Sequence, residues 1–201
     1  MKHFLYSALC ATTLLASVSA CSNNKDSVEQ AQQANEAKTD DATATTDMGE
    51  LKQDKLDFDS DFMTKAASGG MLEVELGNYV VAHATTPEAK QIGQQMVKDH
   101  TKANAELKDI ATKKNITIPA TLGEDQRDVM KDVTDETGVA MDKEYLKEMV
   151  KDHQHDVEEF TEASVKASDP DIKAFAAKNV PILKEHLDMA TKMQATVDQR
   201  P

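Results

Sequence analysis

The chain has 201 residues, 36 of them Asp or Glu against 23 Lys or Arg, for a formal charge of -13 at pH 7. A surface so acidic repels phosphate backbones, which excludes nucleic acid as a natural partner. It also gives no peripheral hold on anionic lipid, and a diffuse acidic excess by itself argues only for solubility.

Residues 1–20 read as an export signal. Lys2 supplies the positive end, and Phe4 to Val18 is an apolar run too short to span a bilayer. Val18-Ser19-Ala20-Cys21 follows, a small-residue cleavage site with cysteine directly after it. This is the bacterial lipoprotein pattern, with cleavage before Cys21 and lipid on its thiol and amino terminus. Ordinary cleavage at Ala20 with a free thiol is the alternative. Cys10 leaves with the signal, so the mature chain has no pair of thiols for a disulfide. Each buried acyl methylene contributes about 0.8 kcal/mol, so several chains make a durable membrane anchor. Ser22 stands where aspartate would signal inner-membrane retention, which points to the periplasmic face of the outer membrane.

Residues 21–58 are polar, rich in Gln, Asn, Ala, Thr and Asp, and nearly free of large apolar side chains. Such a stretch buries too little surface to offset its ordering entropy, so it is expected to be a disordered tether, with a transiently helical piece from Val28 to Lys38.

Residues 59–199 change character to long helical segments without strand-like alternation. Phe62, Ala66, Gly69, Glu73, Leu76 and Val80 recur at steps of three and four. Gly93, Val97, His100, Asn104, Leu107 and Ala111 do the same. So do Leu146, Val150, His153, Val157 and Phe160, and then Ile172, Phe175, Asn179, Ile182, His186, Met189 and Met193. These stripes predict four amphipathic helices around one core. Thr86-Pro87 and Asp169-Pro170 each place a capping side chain before proline, the preferred start of a helix, and each marks the turn of a hairpin. Between the hairpins, Asn115 to Ala140 contains Pro119, Gly123 and Gly138, with a short extra helix expected from Glu124 to Thr137. The fold expected is all-α, a ferritin-like antiparallel four-helix bundle with a long middle connection. Pro181 lies inside the last helix and is expected to bend or interrupt it.

Three of these helices carry a matched pentapeptide: Met96-Val97-Lys98-Asp99-His100, Met149-Val150-Lys151-Asp152-His153 and Ile182-Leu183-Lys184-Glu185-His186. Each histidine falls on its apolar stripe. Counting from the turns at 1.5 Å per residue puts Glu73 level with His100 and His153 level with His186, the second pair about one turn deeper. If the levels merge, Glu73, His100, His153 and His186 bring three imidazoles and a carboxylate from four helices to one point. That set suits one transition metal such as zinc, copper or iron. The alternative is a hydrogen-bonded polar core, including a Glu73–His100 ion pair that fixes helix register. Ring nitrogens within roughly 4 Å of each other favour metal; nitrogens bonded separately to backbone carbonyls favour packing. Asp99, Asp152 and Glu185 sit about 100° round their helices from the histidines and are expected to pair with lysines. Met96, Met149 and Met189 lie one turn from the histidines and are read as core filler over copper ligands. His83 at a helix end, and His155 with Asp156, are read as surface groups.

No Glu-x-x-His pair precedes these histidines, which disfavours di-iron oxidase chemistry. No Gly-rich phosphate loop, Gly-x-Ser-x-Gly or mature cysteine nucleophile is present, so no catalytic residue is assigned.

From Phe62 to Met193 the chain resembles the domain-of-unknown-function family 4142, predicted outer-membrane proteins with a ferritin-like bundle. The resemblance rests on Gly69-Gly70-Met71-Leu72-Glu73-Val74-Glu75-Leu76-Gly77, the pentapeptides ending at His100 and His153, and Pro181 through His186. Met141-Asp142 departs from it, phenylalanine being usual before that aspartate. The resemblance implies architecture and picks out Glu73, His100, His153, Pro181 and His186, but implies no activity. The expectation is a lipid-anchored, non-enzymatic envelope protein that binds or buffers metal. A structural or protein-interaction module is the alternative, and a mononuclear metal oxidoreductase the least favoured reading.

Overall fold

The computed structural model of the protein describes residues 26–43 and 49–201, all of whose regular structure is helical. The expected signal and Cys21 lie outside the described residues. The helices are α1 (Ser27–Thr43), α2 (Gly49–His83), α3 (Pro87–Lys114), α4 (Glu124–Thr134), α5 (Gly138–Lys166) and α6 (Pro170–Val197). Among them none is long and apolar enough to cross a membrane.

The four long helices pack as two hairpins, α2–α3 and α5–α6, with α3 also against α6 and α2 against α5. Both hairpin turns are built as their sequence indicates. Thr86 caps α3 by accepting from Ala89 N–H, and Asp169 caps α6 by accepting from Asp171 and Ile172 N–H. Each turn is then clasped by a buried aspartate of the other hairpin. Asp142 near the start of α5 accepts from Thr85 N at 3.0 Å, Thr85 Oγ1 at 2.8 Å and Thr86 N at 2.6 Å. Asp59 of α2 accepts from Ser168 N at 2.8 Å, Ser168 Oγ at 2.7 Å and Asp169 N at 2.8 Å. The chain spacing from Asp59 to Asp142 equals that from Thr86 to Asp169 and from Glu73 to Asp156, so the two hairpins are built alike. The Met141-Asp142 departure is therefore no defect: Met141 is buried and Asp142 ties the hairpins together.

Gly77 of α2 faces Gly93 of α3, and a Cβ on either would sit 3.0 Å from the other's carbonyl oxygen. The two backbones touch there because neither residue has a side chain.

α1 corrects the expectation of a tether over residues 21–58. Residues 27–43 are helical and docked on α2 and the α3–α4 connection, and α2 itself starts at Gly49, well before residue 59. The docking is mostly polar, which is why no apolar stripe announced it. Asn35 exchanges two bonds with Thr117, Nδ2 to the carbonyl at 2.9 Å and Oδ1 from the amide at 2.7 Å. Lys38 reaches Asn115 O at 2.8 Å, Ser27 reaches Thr121 O at 2.7 Å, and Asp26 accepts from Glu124 N at 2.5 Å. Such bonds contribute about 1 kcal/mol each. Nor does Pro181 interrupt α6, which runs on through it.

The interior is layered. One apolar cluster gathers Leu72, Leu76, Ile92, Met96, Tyr145 and Met149 toward the Thr86 end. A second gathers Phe62, Met63, Leu107, Phe160, Phe175 and Leu183 toward the Asp169 end. Burying each such side chain contributes about 1.5–3 kcal/mol. Between the clusters lies a polar layer made of Glu73, His100, His153 and His186.

Candidate metal centre

Every member of that layer is buried: Glu73 is 1% exposed, His100 7%, His153 0% and His186 2%. The four meet, so the two levels counted from the turns merge. Glu73 Oε2 lies 2.5 Å from His100 Nδ1, Glu73 Oε1 lies 3.3 Å from His153 Nε2, and His153 Nε2 lies 3.3 Å from His186 Nδ1. The three histidines each offer a ring nitrogen within 4.8 Å of the others, and their ring centroids are 5.3–5.6 Å apart.

The outer bonds of the rings decide which nitrogens carry hydrogen. His153 Nδ1–H donates to the Met149 carbonyl at 2.9 Å, which leaves Nε2 bare. His186 Nε2–H donates to Asp99 Oδ2 at 3.1 Å, which leaves Nδ1 bare. The two bare nitrogens are the pair 3.3 Å apart. Glu73 Oε1 and His100 Nε2 are also buried with no hydrogen-bond partner. Acceptors thus face acceptors, and only a positive charge placed among them, a proton or a metal ion, makes that arrangement favourable. The features read from sequence as alternatives, converging nitrogens and a carbonyl-bonded ring, both occur on His153, on its opposite nitrogens.

The electrostatics point the same way. Burial pushes His100 down to about 4 and His153 down to about 3, and it lowers His186 as well. All three imidazoles are neutral at pH 7, the form that binds metal. Burial, followed by the nearby Asp152, raises Glu73 well above the ordinary carboxylate range.

Three acids play parts that the helical positions did not disclose. Asp99 does not go to a lysine alone: it crosses from α3 to hold the ring of His186 on α6, and Gln95 steadies it in turn. Such carboxylate–histidine pairs orient metal-binding rings. Asp152 turns inward, with Oδ2 buried and unpartnered, and burial raises it to about 6. Glu73, Asp152 and His153 each offer one ligand atom within 4.8 Å of the others. Asp156, expected to face solvent, is half-buried; burial first, then Asp152 and Glu73, raises it well above its usual range. The Tyr145 hydroxyl, buried and unpartnered, is raised by burial and by the charges of Glu73 and Asp152. The signals were there: Asp156 stands to α5 as Glu73 stands to α2, and Asp152 and Asp156 are one turn apart.

The other side chains fall where expected. Met96 and Met149 belong to the apolar cluster, with Met189 packed against it. His83 ends α2, its ring stacked on Tyr79 and Nδ1 bonded to Tyr79 O at 2.7 Å. His155 is exposed and pairs with Glu159 at 3.2 Å.

The chain belongs to a family described as a domain of unknown function (DUF4142), whose model matches residues 29–193. The match begins inside α1, so the docked first helix is part of the family domain. Comparison with curated proteins and with solved structures finds no match.

Proposed function

We propose that this member of the DUF4142 family holds one divalent transition-metal ion between His100, His153 and His186, with Glu73 as the carboxylate ligand, and that it binds or buffers such metal in the cell envelope. The observation that carries this is the pair of bare nitrogens, His153 Nε2 and His186 Nδ1, aimed at each other across 3.3 Å. Asp99 and the Met149 carbonyl fix the opposite nitrogens as donors, the arrangement that outer partners give to metal-bound imidazoles. Imidazole and carboxylate together suit zinc, iron or copper. Loading metal-free protein with zinc(II) at a hundredfold excess over its Kd is expected to add about 2.7 kcal/mol of stability. At about 2–4 °C per kcal/mol for a chain of this size, that is a rise in Tm of roughly 5–11 °C. No shift with zinc(II), copper(II) or iron(II) would contradict the reading.

The second reading is a metal-free network, favoured by the raised Glu73: its proton on Oε1 would bridge to His153 Nε2. The same titration separates the two, because a protonated network gains nothing from metal.

The envelope assignment rests on Val18-Ser19-Ala20-Cys21. We place the protein at the periplasmic face of the outer membrane through lipid on Cys21. Cys21→Ser is expected to move it from the membrane fraction to the soluble fraction; a variant that stays with the membranes would refute the anchor.

A further inference from the structure

Beside the histidine layer, α1, α2, α4 and α5 enclose a groove of about 480 Å³ that opens at the surface. Six carboxylates line it: Asp26, Glu124, Asp125, Asp152, Asp156 and Glu159. The cations around it pair with only two of these carboxylates, Glu159 and Asp26. Lys65 pairs with Glu159 at 3.5 Å, His155 with the same carboxylate at 3.2 Å, and Arg127 with Asp26 at 3.4 Å. Among the described residues, that leaves Asp152 and Asp156 at the floor without an ion pair of their own. They stand one turn apart on α5, where like charges repel. Lys151, the neighbour that could shield Asp152, is taken by Glu148 at 3.2 Å.

Charge alone would make this only an acidic surface. Two further facts mark it as a place for a ligand. Asp152 Oδ2 is buried and has no partner, and so is Oε1 of Glu73, within one ligand's reach of it. Asp156 also lines a second, inner void of about 20 Å³ together with Glu73 and His100, so it borders both the groove and the polar layer. That volume holds about one water or one ion.

We propose that Asp152 and Asp156 bind a second divalent cation, distinct from the histidine-held one, at the point where the groove meets the core. It takes a hard ion with oxygen ligands, such as manganese(II), magnesium(II) or calcium(II), because the two acids without an ion pair on the groove floor are both carboxylates. Because Asp156 borders both voids, an ion held there stands next to the inner site, and in that respect the proposal rests on the histidine reading given above.

The test uses full-length protein, stripped with chelator, loaded with one equivalent of zinc(II) and titrated with manganese(II), the free ion being read by its paramagnetic resonance signal. Wild type is expected to bind one manganese(II) beyond the zinc(II). Asp156→Asn, which keeps the side-chain shape, is expected to weaken manganese(II) at least tenfold and to retain one zinc(II). Asp152→Asn supplies the same manganese(II) readout should Asp156→Asn not fold, as judged by circular dichroism. Zinc-loaded wild type that binds no manganese(II), or unchanged binding in both variants, would overturn the second site while leaving the histidine site standing. Should wild type take no zinc(II), the histidine reading falls and the groove is judged on the metal-free chain. There, manganese(II) binding lost in Asp156→Asn sustains it, and no binding refutes it.

Discussion

Replacing His153 with alanine is expected to strip the protein of its metal, from about one equivalent to under a tenth, with an affinity loss of more than 100-fold. His153 sits at the centre of the polar layer: its Nε2 is 3.3 Å from both His186 Nδ1 and Glu73 Oε1, and it is fully buried. Glu73 also touches two prospective ligands, but with a different oxygen on each, whereas His153 meets both of its neighbours through one nitrogen. Asp99→Asn is the natural comparison, because Asp99 only orients His186. Losing an outer partner typically costs 10–100-fold in affinity, so Asp99→Asn should fall between wild type and His153→Ala. His153→Ala also leaves a cavity and should cost about 2–4 kcal/mol of stability. His153→Gln, closer in volume, keeps the loss of metal separable from loss of fold. Equal metal retention in wild type and His153→Gln, measured by mass spectrometry after dialysis, would remove His153 from the ligand set.

Glu73→Gln is expected to act with opposite signs on the metal-free and metal-loaded protein. Without metal, the Glu73 carboxyl is raised by burial and the neighbouring Asp152. A carboxyl raised in the folded state contributes stability that is complete below its unfolded value and is lost as pH rises through the folded one. Metal-free wild type should therefore weaken with rising pH, and Asp152, raised to about 6, adds loss between about pH 4 and 6. The glutamine amide escapes this: its oxygen can accept from His100 Nδ1–H and its NH2 can donate to His153 Nε2, the two atoms Glu73 already faces. Metal-free Glu73→Gln should exceed wild type by about 1–3 kcal/mol at pH 8, the scale of an unsatisfied buried polar group, with the gap narrowing as pH falls. With metal the order reverses, because a neutral amide is a poor ligand and leaves the ion's charge uncompensated. Urea denaturation at pH 5 and pH 8, with and without zinc(II), reads all four values. A Glu73→Gln protein that still gains as much from zinc(II) as wild type would show that Glu73 is not a ligand.

Much of this centre was legible because helices are regular. Pro87 and Pro170 fixed both hairpin turns, and a constant rise per residue carried Glu73, His100, His153 and His186 to one layer. The acids were harder. Asp99, Asp152 and Glu185 occupy matching places before their histidines, yet Asp99 crosses to His186, Asp152 turns into the core, and Glu185 remains exposed. The difference lies in which neighbouring helix stands beside each position, and periodicity within one helix does not encode that. α1 was missed for another reason: Asn35, Lys38 and Ser27 hold it by hydrogen bonds to backbone carbonyls, which leave no hydrophobic rhythm to read.

Whether the histidine layer holds metal is read from the metal content of the protein purified from its native host without a metal-affinity tag, by mass spectrometry. About one equivalent of a transition metal per chain is expected, removed by chelator and restored on adding the same ion. A protein that emerges empty and then refuses zinc(II), copper(II) and iron(II) would contradict this expectation, leaving Glu73 and the three histidines a proton-bridged core.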